Sequence, residues 1–411
     1  MWDTLPHNYM RALISRQSTT LRGLVPNVGI CGRFACAKAL CYCGPKFTHR
    51  KEGIVTTLFG REYSRRELLD RVGDMSQLAG ARKAELVEGM ERGSDLIEVF
   101  NASGLCFSVV PGRALDIASA HYKGMSLCFR SSTGDVGPAF YEPQGNGWLR
   151  GFFGGLTVSC GMTFTGHPEV DPEEENEELG LHGRLAFLPA KNVVANAGWE
   201  GEQYVVRIHG KMREAVVFGT NLELTREIST VLGEKSIRIY DRIENLSVDP
   251  SPLMFVYHCN PGFPVLDSGT RLLINSEKTT EWLEDREVGP EVYQVAKGPG
   301  DDDGDDVFVH RPIADADGNV NVGLVNDGLG LGLYWKFPIA EIPLVNQWQH
   351  FHRGTYVTGV EPGNVSMLGR AWNRREGYLN YIQPDEVREF HMEIGVLDGA
   401  EEIGEFEGSF E

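Results

Sequence analysis

Apolar and polar residues alternate along most of this chain with the two-residue period of β-strands. One stretch near the start is different. Ser64-Arg-Arg-Glu67 has the form of a helix capping box, and Leu68, Leu69 and Val72 follow as an apolar side. A second, weaker helical pattern lies at 75–78. From Leu96 onward short apolar runs predict strands at 96–100, 106–110, 114–117, 204–210, 212–218 and 222–231. Asn101-Ala-Ser-Gly104 and Pro111-Gly112 punctuate them as turns. The segment 236–243 alternates strictly, with Ile237, Ile239 and Ile243 on one face and Arg238, Tyr240 and Arg242 on the other. Strands at this spacing without intervening helices predict an all-β fold, a large antiparallel sandwich with a few short helices.

The stretch 346–364 carries the most suggestive pattern. Tyr356, Thr358 and Val360 alternate with Val357 and Gly359, and Glu361 follows, just before Pro362-Gly363. The pattern predicts a strand that ends in a turn, with a carboxylate at its end. A base held on a rigid element is well placed for proton transfer.

Composition narrows the classes. The chain has 411 residues and a net charge of −19, which argues against nucleic acid as a partner, since phosphate binding needs clustered Lys and Arg. No apolar run reaches the length of a membrane-spanning helix. The 49 glycines favour many turns and hence many short strands. Of eight cysteines, Cys106, Cys128, Cys160 and Cys259 are scattered in apolar stretches and read as small buried hydrophobes in a reducing, cytoplasmic setting.

Residues 1–52 stand apart. They hold eight Lys and Arg against two acids, and also Cys31, Cys36, Cys41 and Cys43, without a periodic apolar pattern. A transit peptide and a cysteine metal cluster are the alternatives to an extension outside the fold, which is the reading preferred. The expected organisation is an extension at 1–52, a β-sandwich at 53–398 and an acidic tail at 399–411. Three acidic segments, at 173–178, 301–306 and 315–319, have calcium-like composition. None carries the full twelve-residue loop, so they read as solvated. Gly328-Leu-Gly-Leu-Gly332 lacks the complete dinucleotide fingerprint and reads as a glycine-rich strand.

Three histidines occupy distinctive settings. His182 is flanked by glycine in Leu179-Gly-Leu-His-Gly-Arg184, His258 ends an apolar run before Cys-Asn-Pro-Gly, and His167 lies in Gly-His-Pro. Imidazole suits acid–base work near neutral pH. Two histidines and a carboxylate, each at a strand end, can converge on one cleft and move protons in both directions.

At several separated places the chain resembles the galactose mutarotase (aldose 1-epimerase) superfamily, and within it a bacterial branch of mostly unassigned substrate. The likeness rests on Pro111-Gly-Arg-Ala-Leu-Asp-Ile117, Trp148-Leu-Arg-Gly-Phe-Phe-Gly-Gly155, Leu181-His-Gly-Arg184, His258 with Asn260, and Tyr356-Val-Thr-Gly-Val-Glu-Pro362. It covers about residues 53–398. The resemblance implies a β-supersandwich with an open sugar cleft, Glu361 as base, His258 as acid, His182 as a second cleft histidine, and no cofactor or metal. Arg184, Asn260, Arg113, Trp148 and Gln347 are the further candidates for contact with a sugar. Departures from the mutarotase pattern, Arg184 after His-Gly and Tyr257 before His258, alter the cleft wall. Arg184 is a fixed cation for a carboxylate or phosphate on the sugar, or alternatively a partner of a neighbouring loop.

Three functions fit these residues: interconversion of sugar anomers, another proton transfer next to a carbonyl in the same cleft, or carbohydrate binding without catalysis. A metal held by His182, His258 and Glu361 ranks below the metal-free reading. The sequence assigns no sugar and no oligomeric state.

Overall fold

The computed structural model describes residues 55–173, 177–282, 285–301 and 304–410; the reading of residues 1–52 lies outside them. The fold is all-β and antiparallel, with a few short helices. The capping box forms as written. Ser64 Oγ accepts from Glu67 N, Glu67 returns a carboxylate oxygen to Ser64 N at 2.9 Å, and helix Arg65–Leu69 follows. Met75–Gln77 is a single 3₁₀ turn.

Three sheets carry the chain. The first joins Gly80–Glu85, Asp95–Phe100, Leu105–Val110, Asp116–Tyr122 and Met125–Ser126 in chain order. The second has eight strands, with Ser236–Asn245 paired to Val387–Asp398 near its middle. The alternation there works as the pattern predicted: Ile237, Ile239 and Ile243 are buried, while Arg238 on the opposite face meets Glu393 at 2.9 Å. The third sheet runs Arg286–Glu287, Ser276–Glu281, Asp306–Pro312, Leu344–His352, Thr355–Gly363, Ser251–His258 and Asn380–Ile382, and Val158–Met162 also pairs with Ser251–His258.

The structure differs from the sequence reading at several places, and Cys106, read as a small buried hydrophobe, is exposed. Two predicted strands at 204–218 are one strand, Gln203–Ala215, followed by a hairpin tip. Predicted strand 114–117 starts at Asp116, because Ala114 and Leu115 adopt φ of 54° and 58° in a turn. Gly328 and Gly330 belong to the turn that precedes strand Leu331–Pro338. Finally, 399–411 is not simply an acidic tail. Helix Ala400–Gly408 packs Ile403 and Phe406 on Leu273, Val325 and Leu397, and its Glu407 meets Arg271 at 2.6 Å. Glu401 and Glu405 are exposed, while Glu402 pairs with Lys235 as Glu407 does with Arg271, so charge hid a helix that packs.

Strand Ser251–His258 ties the core to the site. Leu253, Phe255 and Tyr257 face the main core, and Met254 and Val256 face a second cluster with Trp148, Phe152, Phe153 and Phe164. Under the core face lies a fully buried ion network. Arg226 donates to both oxygens of Asp241 at 2.8 and 2.7 Å and to Asp116 at 3.1 Å, and the Tyr257 hydroxyl donates to Asp241 at 2.7 Å. Asp116 also accepts from Ser159 N and Oγ, which fixes Val158–Met162 beside this strand. Each charge is paired and hydrogen-bonded, the condition for burying charge at tolerable cost.

Among the described residues no helix is long and apolar enough to cross a membrane.

Candidate active site

Strand register builds the site. The pairings of Val256 with Gly363, Cys259 with Val360 and Gly262 with Val357 share one register, which sets His258 directly opposite Glu361. Opposed residues in an antiparallel pair project on the same face. His258 Nε2 accordingly lies 3.2 Å from Glu361 Oε1, with both side chains buried. The strand does not end at Glu361: Pro362 and Gly363 remain paired with Val345 and Leu344, so the predicted turn comes later. Asn346, opposite Glu361, supports it by donating to the Glu361 and Val365 carbonyls at 3.3 Å and accepting from Met367 N at 3.0 Å.

Gly359 makes room for the carboxylate. A Cβ at residue 359 would lie 2.1 Å from Glu361 Oε1 and 3.1 Å from Trp348 Cβ. Any side chain there forces Glu361 out of its place beside His258.

His182 arrives from a different segment, in a left-handed conformation with φ of 56°. Its N–H donates to the Gly166 carbonyl at 2.9 Å, and its carbonyl accepts from Gly161 N at 3.2 Å. Gly183, at φ of 73°, cannot carry a side chain, since a Cβ would sit 2.3 Å from the Phe164 carbonyl oxygen. The His182 and His258 rings are 5.6 Å apart, edge to face. Trp148 contacts His182 at 4.8 Å and His258 at 6.3 Å, Phe152 contacts His258 at 5.6 Å, and Trp348 closes the other side of His258 at 5.7 Å.

Burial sets the protonation states. It pushes Glu361 up to about 8. Burial also pushes His258 down to about 4, against the opposing influence of Asn260. His182 is held well below the usual histidine range by burial first, then by His258 and His167. Between about pH 4 and pH 8 the Glu361–His258 pair therefore carries one proton, held on the carboxyl. Moving that proton across the 3.2 Å gap gives carboxylate and imidazolium without exchange with solvent.

Buried polar atoms in native proteins nearly always have partners. Five atoms of this cluster have none: Glu361 Oε1, His258 Nδ1, His182 Nδ1, Trp148 Nε1 and Asn260 Oδ1. Together they offer acceptors and donors beside flat aromatic walls, the composition of a site for a polar ring-shaped ligand. Among the described residues no three His, Cys, Asp or Glu side chains group as metal ligands, His182, His258 and Glu361 included.

The structure thus brings together His182, His258, Glu361 and Trp148, with Asn260 bonded through Nδ2 to the His258 carbonyl at 2.8 Å. It sends two candidates elsewhere. Gln347 lies one residue out of phase with Asn346 and Trp348, so it points to the other face of the sheet. There it meets His310 Nε2 at 3.1 Å and donates to the Tyr293 carbonyl at 3.0 Å. Arg113 is fully buried and spends its guanidinium on the carbonyls of Ala186, Val136 and Gly151, between the rings of Phe153 and Phe187. It clamps the turn Gly147–Gly151 that carries Trp148 instead of facing a ligand. Arg184 is exposed, and its side chain has no hydrogen-bond or ion-pair partner among the described residues. Sequence reasoning missed Trp348 and Asn346, although both share the two-residue phase that leads to Glu361 through Gly359.

This fold is galactose mutarotase-like. The chain belongs to the family described as "Domain of unknown function (DUF4432)", whose profile matches residues 91–396. Solved structures give the same fold. A protein from Klebsiella pneumoniae named "putative aldose 1-epimerase" is 24% identical, with a TM-score of 0.76 over 85% of this chain and 90% of that one. A galactose mutarotase-like protein from Clostridium acetobutylicum is 13% identical, with a TM-score of 0.55 over 78% of this chain and 99% of that one. Galactose 1-epimerase from Lactobacillus acidophilus is 12% identical, with a TM-score of 0.53 over 78% of this chain and 99% of that one. No curated protein sequence matches the chain.

Proposed function

We propose that this protein interconverts the anomers of an aldose by acid–base catalysis at Glu361 and His258. The observation that carries the proposal is the cross-strand contact of a buried carboxyl and a buried imidazole at 3.2 Å, within a cluster of five unpaired polar atoms. Anomer exchange needs a proton to leave O1 and another to reach the ring oxygen. A pair holding one proton performs both without net uptake. With a sugar bound, the Glu361 carboxylate accepts the O1 proton and the His258 imidazolium protonates the ring oxygen. The C1–ring oxygen bond breaks, the C1–C2 bond rotates, and the steps reverse on the other face. Sugar hydroxyls in the cleft replace part of the solvation that burial removed, and this favours the ionised form of the pair. His182 and Trp148 hold the ring in place, and Asn260 steadies His258.

Carbohydrate binding alone gives no account of a buried, proton-sharing pair, which costs stability, so the enzyme reading is preferred. The test is to follow anomer exchange by NMR with freshly dissolved aldoses. Glu361→Gln and His258→Asn should each lower kcat by about 10²-fold or more while sugar affinity changes little. Near-normal turnover in Glu361→Gln refutes the mechanism.

A further inference from the structure

The sheet face that holds the catalytic pair continues beyond it, and its register places a second set of groups there. One row beyond Glu361, Gly359 lies opposite Trp348, and Trp348 lies opposite Val307. The Trp282 N–H bonds the Val307 carbonyl at 2.9 Å, which extends the row to Trp282. In the next row His350 lies opposite Val357, and Asp305, one residue before strand Asp306–Pro312, falls opposite His350. Each row is about 7 Å further along the sheet, since a strand rises about 3.4 Å per residue.

These groups are fixed in place. Asp305 Oδ1 accepts from Trp348 Nε1 at 2.8 Å and meets His350 Nδ1 at 2.7 Å, while His350 Nε2 meets Thr355 Oγ1 at 2.9 Å. The His350 ring stacks on Trp348 at 5.6 Å. Trp282 is stacked in turn by His167 at 4.5 Å and 14°. The Trp348, His350 and Trp282 side chains are all partly exposed, so this flat aromatic strip is open to a ligand. Asp305 Oδ2 takes no hydrogen bond among the described residues and is free to accept from hydroxyls. The carboxylate belongs to one of the acidic segments that composition alone assigned to solvent.

We infer that the cleft has a second subsite, over Trp348 and Trp282 and beside Asp305, for a further sugar ring. The ligand is then a saccharide of at least two rings with a free reducing end, whose reducing ring lies against the His258–Glu361 pair. The spacing supports this: the row of Trp348 and Trp282 lies about 7 Å along the sheet from the row of Glu361, about one ring's length. Sugar rings stack on aromatic faces, and a carboxylate with a free oxygen accepts their hydroxyls. The acidic side chain disfavours an anionic substituent at this end of the cleft.

The inference rests on the proposed function, and its test separates the two. Anomer exchange and equilibrium binding (by quenching of tryptophan fluorescence) are measured with D-glucose, D-galactose, maltose, cellobiose and lactose. At least one disaccharide should bind and turn over about tenfold better than the free hexoses. Trp282→Ala should remove about tenfold of that advantage in kcat/KM and in affinity, leave hexose turnover within about twofold, and leave Tm nearly unchanged. Asp305→Asn should act in the same direction. Absence of turnover on every sugar defeats the proposed function, and the subsite then stands or falls on the binding series alone. Equal affinity for hexoses and all disaccharides, or a Trp282→Ala loss that is the same for one ring and two, overturns the subsite.

Discussion

Replacing Glu361 by Gln should make the protein more stable, and by an amount that depends on pH. The native carboxyl holds its proton up to about pH 8, because burial opposes its ionisation, whereas an unfolded chain releases it near the ordinary 4.5. From pH 4.5 to pH 8 the unfolded state therefore binds fewer protons than the native state, and stability falls as pH rises. The slope is about 1.4 kcal/mol per pH unit for a single fully differential group. The accumulated cost is roughly 3 kcal/mol at pH 7 and roughly 5 kcal/mol above pH 8, a large share of a typical stability of about 5–15 kcal/mol. Gln has nearly the same shape and no charge, so the variant lacks this slope.

His258 works in the opposite direction and in a different window. Its folded value is depressed to about 4, so its unfavourable effect grows as pH falls below the ordinary 6.5. That effect is common to both proteins and cancels in the difference between them. The assay is urea unfolding of wild type and Glu361→Gln at pH 5, 6, 7, 8 and 9. The stability gap should widen by several kcal/mol from pH 5 to pH 8 and then level off. Parallel curves would falsify the assignment of a raised, burial-driven value to this carboxyl, and with it the proton-sharing pair.

Gly359→Ala should cut kcat by about tenfold or more through displacement of the Glu361 carboxylate, because the added Cβ falls 2.1 Å from Oε1. The same substitution should shift the alkaline limb of the pH profile, a change that simple destabilisation does not produce. Wild-type kcat/KM should follow a bell with limbs near pH 4 and pH 8. The acid limb marks uptake of a second proton by the pair and the alkaline limb loss of its only one. Arg226→Met should destabilise by about 3–5 kcal/mol in chemical denaturation, since it leaves Asp116 and Asp241 buried without their cation.

Much of this fold was legible because its strands are long and alternate cleanly. Ser236–Asn245 announces one buried and one charged face, and Ser64 to Glu67 announces a helix start, so local rules sufficed. Helix Ala400–Gly408 was not legible as a packed element, because seven residues at 401–407 include four acids and only two large apolar side chains. What makes it pack is the sheet beneath, with Leu273, Val325 and Arg271, from distant parts of the chain. Glu361, His258 and His182, which the structure brings together, were singled out by residue type and local setting. Gln347 was misplaced for a different reason. Register decides which face a residue takes, and a shift of one position sends a side chain through the sheet. Once the Glu361 phase is known, Asn346 and Trp348 follow and Gln347 is excluded. Arg113 shows the remaining limit: a motif marks a position as special without saying whether its charge meets a ligand or backbone carbonyls.

The two faces of strand Ser251–His258 explain why a costly pair persists in this fold. Tyr257 points into the core and is locked by Asp241, which Arg226 holds in turn; every member of that network has its partners. His258, the next residue, points to the aromatic cluster of Trp148 and Phe152 with an unpartnered Nδ1, beside a carboxyl whose Oε1 is also unpartnered. A fully satisfied face therefore fixes the backbone position of an unsatisfied one. Asn364 adds to this by accepting from Phe255 N at 2.7 Å and donating to the Leu253 carbonyl at 3.0 Å, which clamps the end of the Glu361 strand to the His258 strand. Relaxation that would let His258 or Glu361 find protein partners requires breaking those bonds. The stability lost to the pair is thus confined to two side chains, and the geometry of the pair is set in advance of any ligand.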